Sequence, residues 1–334
     1  MRRILTILFF LVSLAGSAQD LQLTQFYSSP LYLNPALTGA NAASRFSTTY
    51  RTQWAGLPGS FDSFIFSFDH YMHQLNSGVG LFVIKDQAGS MQFGTTSLGF
   101  TYAFDYKISH EWSAAIGVKS AYSYRTIDYS KLVFGDQLVR DAEVSVQSEF
   151  PEKVSFFDFS TGFVIFSKNN WLGLSLNHMN KPEESFLPKP AILPFEASIH
   201  GGRNIYLEQA GSGKYSLKPY FMLAANYRFQ AQFDQLDLGI YLKKPQYFAG
   251  VWYRGLPIFK SYAPEYPNND ALALLIGGVY KQATFSYSYD FTISRLAGVS
   301  GGSHEISVNY YMSNPRKSKK IKRKIIPCTE MFAQ

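Results

Sequence analysis

The residues able to do chemistry are few and scattered along the chain. Six histidines occur (His70, His73, His110, His178, His200 and His304), and none belongs to an HExxH pattern or to a Cys/His cluster with metal-ligand spacing. No GxSxG motif is present, and no glycine-rich loop follows a strand-like run to cradle a phosphate. His178 deserves weighing as the base of a Ser/His/Asn hydrolase site at a sheet rim. Its register with Leu174 and Leu176 reads instead as an outward-facing, interfacial histidine. The single cysteine, Cys328, rules out an intramolecular disulfide and leaves a free thiol, an anchor or an intermolecular bridge open. No catalytic residue, cofactor or metal is expected, and the chain does not read as an enzyme.

A second group of ionisable residues sits at alternate positions of apolar runs: Arg51, Asp69, Asp105, Lys107, Arg228, Arg254, Asp290 and Glu305. Facing inward, they either line a channel or pair with one another to fill a closed lumen; pairing is the commoner arrangement in narrow barrels. The elements that hold them are strands. Even positions from Thr96 to Tyr106 read Thr, Leu, Phe, Tyr, Phe, Tyr, while the odd ones read Ser, Gly, Thr, Ala, Asp, Lys. Phe285, Tyr287, Tyr289 and Phe291 alternate with Ser286, Ser288 and Asp290, and Ile306, Val308, Tyr310 and Met312 with Glu305, Ser307, Asn309 and Tyr311. One face suits lipid and the other carries polar and charged groups, as period two allows.

Composition favours a membrane barrel over a soluble sandwich. Aromatic residues make up 17% of the chain and charged residues only 16%, against about 25% charged in soluble domains. The spacing predicts an all-β, transmembrane antiparallel barrel of about fourteen strands over residues 43–313, with the strand near 304–312 closing on that near 43–54. Short connections (72–76, 108–111, 167–170, 244–246, 280–282) alternate with longer ones (85–95, 125–155, 180–194, 256–270, 293–303), the pattern of periplasmic turns and outer loops. Two connections fit poorly: 208–217 is long for a turn and 230–234 short for an outer loop.

The ends differ from the body. Arg2 and Arg3, the apolar run Ile4–Leu14 and the small residues Gly16-Ser17-Ala18 have the order of a signal peptide over residues 1–18, cleaved between Ala18 and Gln19. Roughly a dozen apolar residues are too few to span about 30 Å of hydrocarbon. Residues 19–42 lack alternation and carry Pro30 and Pro35, which suggests an ordered, plug-like segment in or across the periplasmic mouth. Residues 314–334 form a basic tail. The net charge of +7 belongs largely to it: Arg316, Lys317, Lys319, Lys320, Lys322, Arg323 and Lys324 are seven basic residues in nine, and residues 19–315 hold 22 basic against 23 acidic. No face is therefore basic enough for nucleic acid. The tail reads as a periplasmic docking element, with Arg316–Lys324 making charge contacts, Ile325-Ile326-Pro327 an apolar patch, and Ile325, Ile326 and Cys328 counted among its partner-binding residues.

At QFYSSPLYLNPALTGA (25–40), followed by YRTQW (50–54), the sequence resembles the PorP/SprF family of the Bacteroidetes type IX secretion system. GVWYRG (250–255), YSYDFTIS (287–294), GSHEISVNYY (302–311) and PRKSKKIKRKIIPC (315–328) continue the resemblance in order across the mature chain. Within the first motif it singles out Gln25, Tyr27, Pro30, Tyr32, Asn34, Pro35 and Gly39. The resemblance implies a multi-pass outer-membrane protein supporting secretion and cell-surface attachment of an adhesin with a type IX C-terminal sorting domain, in some members with gliding motility. Its implied partners are outer-membrane lipid, that adhesin and periplasmic secretion or peptidoglycan-binding components. A general porin or small-solute channel is the alternative reading.

Overall fold

The computed structural model describes residues 20–41, 43–57, 59–89, 93–129, 135–140, 145, 151–187, 189–207, 219–256, 261–263, 266–312 and 326–330. Fourteen strands form one closed antiparallel barrel. They are β1 (Ser44–Gln53), β2 (Phe61–Met72), β3 (Ser77–Ala88), β4 (Phe93–Lys107), β5 (Ser113–Thr126), β6 (Lys153–Phe166) and β7 (Asn170–Asn177). The second half comprises β8 (Glu196–Tyr206), β9 (Tyr220–Gln230), β10 (Phe233–Lys243), β11 (Tyr247–Gly255), β12 (Asn269–Tyr280), β13 (Ala283–Thr292) and β14 (Ser303–Met312). Each pairs with its sequence neighbours, and β14 closes on β1 in unbroken register from Ser44 opposite Met312 to Gln53 opposite Ser303.

Closure is what lipid demands, because an open sheet edge would leave backbone groups unpaired in hydrocarbon. The alternation then sorts the side chains. Leu98, Phe100, Tyr102 and Phe104 of β4 are exposed outward while Gly99, Thr101 and Ala103 are buried. Ile116, Leu172, Ile276 and Ile306 continue the outward apolar belt on β5, β7, β12 and β14.

The outer ends of several strands run further than their apolar alternation. β3 and β4 stay paired to Ala88 opposite Phe93, so the expected 85–95 loop shrinks to residues 89–92. Lys85-Asp86-Gln87 lack a lipid-facing pattern because a ladder standing above the bilayer needs backbone pairing but no apolar face. The short outer connection is a two-residue turn, Ala231-Gln232, with Ala231 at φ +52. The irregular connection 208–217 lies outside the described residues.

Candidate functional site

The lumen is filled by the chain's own N-terminal segment. Residues 20–41 run from the outer third of the barrel, at Asp20, down to the periplasmic mouth at Asn41, where β1 begins. Leu23, Phe26, Tyr27, Leu31, Leu33 and Leu37 of this segment are buried. With no repeating pattern of its own, the segment takes its shape from prolines and from the wall. Pro30 starts a single helical turn (Pro30–Leu33) and Pro35 a 3-10 turn (Pro35–Leu37), each at a first helical position where the missing N–H costs nothing. Asn34 links them: its Oδ1 caps Ala36 N at 2.9 Å, and its Nδ2 donates to the Leu174 carbonyl at 3.0 Å and lies 3.1 Å from His200 Nε2.

The wall leaves room for this turn through missing side chains. A Cβ on Gly117 would stand 2.4 Å from Ala36 N, and one on Gly162 would stand 2.0 Å from Asn34 Oδ1. Lower down, Gly39 adopts φ +71, and its N–H donates to Asp69 Oδ2 at 2.7 Å. Asp69 is held in turn by a two-point contact from Arg45, 2.8 and 3.0 Å.

The inward charges of the outer half pair with one another and with the plug. Arg51, 1% exposed, reaches Asp290 at 2.8 Å and Glu305 at 3.0 Å, and Arg254 reaches Asp237 at 2.8 Å and Asp290 at 3.2 Å. Thr24 sits at the junction. Its hydroxyl donates to Asp290 and accepts from Arg51 and Arg254, while the Thr24 and Gln25 N–H groups both donate to Glu305 at 2.8 Å. Gln25 adds contacts to Ser286, Ser288 and the Glu305 carbonyl. The plug thus supplies hydrogen bonds that the wall carboxylates need once water is excluded. Arg228 donates to the Leu21 carbonyl, whereas Lys107 stands exposed at the periplasmic rim.

His178 does not face outward. It follows the last residue of β7 with φ +55, which breaks the alternation and turns the ring into the lumen. There its Nε2 lies 2.6 Å from Asp20 and its Nδ1 3.0 Å from Asp158. Burial alone would lower the imidazole, but the Asp20 carboxylate and then Asp158 outweigh it and hold His178 at about 10. Burial likewise opposes ionisation of Asp20, yet His178 and Arg228 bring that carboxyl down to about 2. The pair pins the outer end of the plug by a charged contact. A single-residue backbone flip leaves no trace in hydrophobic periodicity, which is why the sequence misplaces this histidine.

Above the plug the barrel opens outward into a cavity of about 1020 Å³, floored by Asp20 and Leu21 and rimmed by Trp54, Phe61, Phe93 and Phe233. A smaller chamber of about 130 Å³ continues beneath it, past Arg125 and Arg228. Among the described residues no group of His, Cys, Asp and Glu is arranged to hold a metal ion.

The singled-out N-terminal residues converge in the plug. Besides Gln25, Pro30, Asn34, Pro35 and Gly39, Tyr27 accepts from Trp171 Nε1 at 3.3 Å, and the Tyr32 hydroxyl donates to the Leu21 carbonyl. The tail residues divide. Arg316, Lys317, Lys319, Lys320, Lys322, Arg323, Lys324 and Ile325 lie outside the described residues, whereas Ile326 and Cys328 are buried at the periplasmic mouth. Both belong to the tail set read from the sequence as a docking element, and both pack against the barrel's own chain. Sequence reasoning also missed Arg45, Asp158, Asp237 and the seat glycines Gly117 and Gly162. Their signal was inward register combined with a missing or charged side chain.

A closed barrel with an outward apolar belt, a self-filled lumen and a blind outer vestibule is the architecture of a plugged outer-membrane protein. The chain belongs to the family described as type IX secretion system membrane protein PorP/SprF, whose model matches residues 15–310. It is accordingly an outer-membrane barrel of that secretion system, and its family and fold are those of a secretion component rather than of an enzyme. No curated protein matches it in sequence. Solved structures that it is similar to include the Ralstonia pickettii toluene transporter TbuX (11% identity, 89% of this chain and 94% of that one, TM-score 0.46). Two others are the CymD monoaromatic hydrocarbon channel (12%, 90% and 95%, 0.47) and the Acinetobacter baumannii outer membrane protein Omp33 (5%, 82% and 100%, 0.45).

Proposed function

We propose that this barrel supports secretion and cell-surface attachment of a large partner, an adhesin carrying a type IX C-terminal sorting domain. The observation that carries the reading is the occupied lumen: Thr24 and Gln25 of the N-terminal segment hydrogen-bond Glu305 of the wall inside the barrel, while the vestibule faces outward. A barrel occupied by its own chain and presenting a shaped outer cavity is suited to holding another protein. The long outer connections 125–155, 180–194 and 256–270 are the specificity surface, since loops vary while the wall stays constant. On the periplasmic side the basic stretch Arg316–Lys324 docks secretion or peptidoglycan-binding components by charge, a contact screened over about 8 Å at physiological ionic strength.

The test is a deletion strain examined for its surface proteome. Loss of one sorting-domain protein from the cell surface, restored by the intact chain but not by variants with the three loops replaced by short turns, supports the reading. An unchanged surface proteome, together with loss of uptake of a small solute, favours the channel alternative.

A further inference from the structure

The end of the chain occupies a built site of its own. Ile326, Pro327, Cys328 and Thr329 are buried at the periplasmic mouth, and Ile326, Cys328 and Thr329 have no exposed surface. The segment packs against β7, β8 and the turn Phe26–Ser28 of the plug. Asn41 Oδ1 accepts from the Thr329 hydroxyl, and Asn204 Nδ2 donates to the Pro327 carbonyl at 3.5 Å. Thr329 folds back on Ile326, its N–H and its hydroxyl meeting the Ile326 carbonyl at 3.0 and 2.9 Å. Ile326 and Cys328 join the apolar cluster of Tyr27 and Trp171.

An aliphatic anchor, a proline bend and one hydroxyl read by an amide are how short peptides are recognised in sockets. None of these four residues carries a charge, so the ion pairs that pin the plug are missing here. The link from Met312 covers residues 313–325, thirteen residues, which extended would span up to about 45 Å. The segment can therefore leave without the barrel unfolding.

We propose that the periplasmic mouth is a peptide socket whose exchangeable ligand in cis is Ile326–Thr329, and that a free peptide of the same Ile-Pro-Cys-Thr character enters it in trans. The proposal is independent of which client the outer face holds.

Cys328 is the only thiol in the chain and reports on its own position. Burial pushes it well above the usual thiol range, and the thiolate is the form that reacts with maleimide. The experiment uses full-length barrel in lipid vesicles, with heat-modifiable gel mobility confirming the fold of every sample. Labelling of Cys328 should be on the order of a hundredfold slower than in urea-unfolded chain. A synthetic peptide of residues 322–330 with Cys328→Ser should accelerate it saturably. Short tethers give effective concentrations in the millimolar range, so about half of the thiols should be free at peptide concentrations near that value. A scrambled peptide should have no effect, and Asn204→Leu should speed labelling several-fold without added peptide. Labelling of the folded barrel at the unfolded-chain rate would show that the socket is not filled. A slow rate indifferent to peptide up to several millimolar would show that the segment is a fixed part of the fold. Either result overturns the proposal.

Discussion

Replacing Arg51 with Met should destabilise the barrel by about 3 kcal/mol, and the structure sets that magnitude. Removing one partner of a buried ion pair typically costs about 3–5 kcal/mol, because the remaining charge is left uncompensated. Here the loss falls at the lower end. Asp290 keeps Arg254 at 3.2 Å, and Glu305 keeps the N–H groups of Thr24 and Gln25 at 2.8 Å. About 3 kcal/mol is more than a hundredfold in the folded-to-unfolded ratio, since about 1.4 kcal/mol is tenfold. The assay is urea unfolding of barrel refolded into lipid vesicles, followed by tryptophan fluorescence. The double variant Arg51→Met with Glu305→Gln should recover part of the loss, because it removes the orphaned charge as well as the cation. Strictly additive losses in the double variant, or a single-variant loss below about 1 kcal/mol, would refute a coupled buried pair.

Three further outcomes are expected. His178, held at about 10, contributes stability that is complete below its ordinary value of 6.5 and is lost as pH rises through 10. Asp20, held at about 2, contributes above 3.8 and loses its share as pH falls through 2. The urea midpoint should therefore be flat between about pH 4 and 6.5 and decline toward pH 10, and His178→Gln should flatten the alkaline decline; parallel curves for both proteins would count against the ion pair. Gly162→Val should expel the plug from its seat, giving a heat-modifiable, membrane-inserted barrel whose N-terminal segment is cleaved by added protease; continued protection would show that the seat tolerates a side chain. Truncation after Pro315 should leave a folded barrel that no longer supports surface attachment of the client, read by immunoblot of surface-exposed protein, and full attachment would remove the tail from the mechanism.

The wall was legible because lipid on one side and a polar lumen on the other impose period two on every spanning strand. The apolar alternations around 283–292 and 247–255 end where the strands end. Where the ladders rise above lipid, as at Lys85–Ala88 and Lys153–Ser155, that demand lapses and the strand is invisible to a hydrophobic pattern. The inward placement of Arg51, Arg254, Asp290 and Glu305 followed from their register, whereas the choice between lining a channel and pairing did not; in the structure they pair. The path of residues 20–41 up the lumen did not, because no period governs a segment whose conformation is set by the shape of its container. Gly117 and Gly162 carried that information, but on β5 and β6, more than 75 residues away from the turn they admit. His178 and the buried Ile326–Thr329 escaped for the same reason: each depends on one local backbone choice or one distant cavity.

Single-channel recording in planar bilayers tests the self-filled lumen most directly. Full-length barrel should be electrically silent at moderate voltage, and a variant lacking residues 20–40 should insert and conduct in large, steady steps once the wall charges meet water. Equal, steady conductance from both proteins would contradict a lumen closed by its own N-terminal segment, and with it the case for a holder of proteins over a channel for solutes.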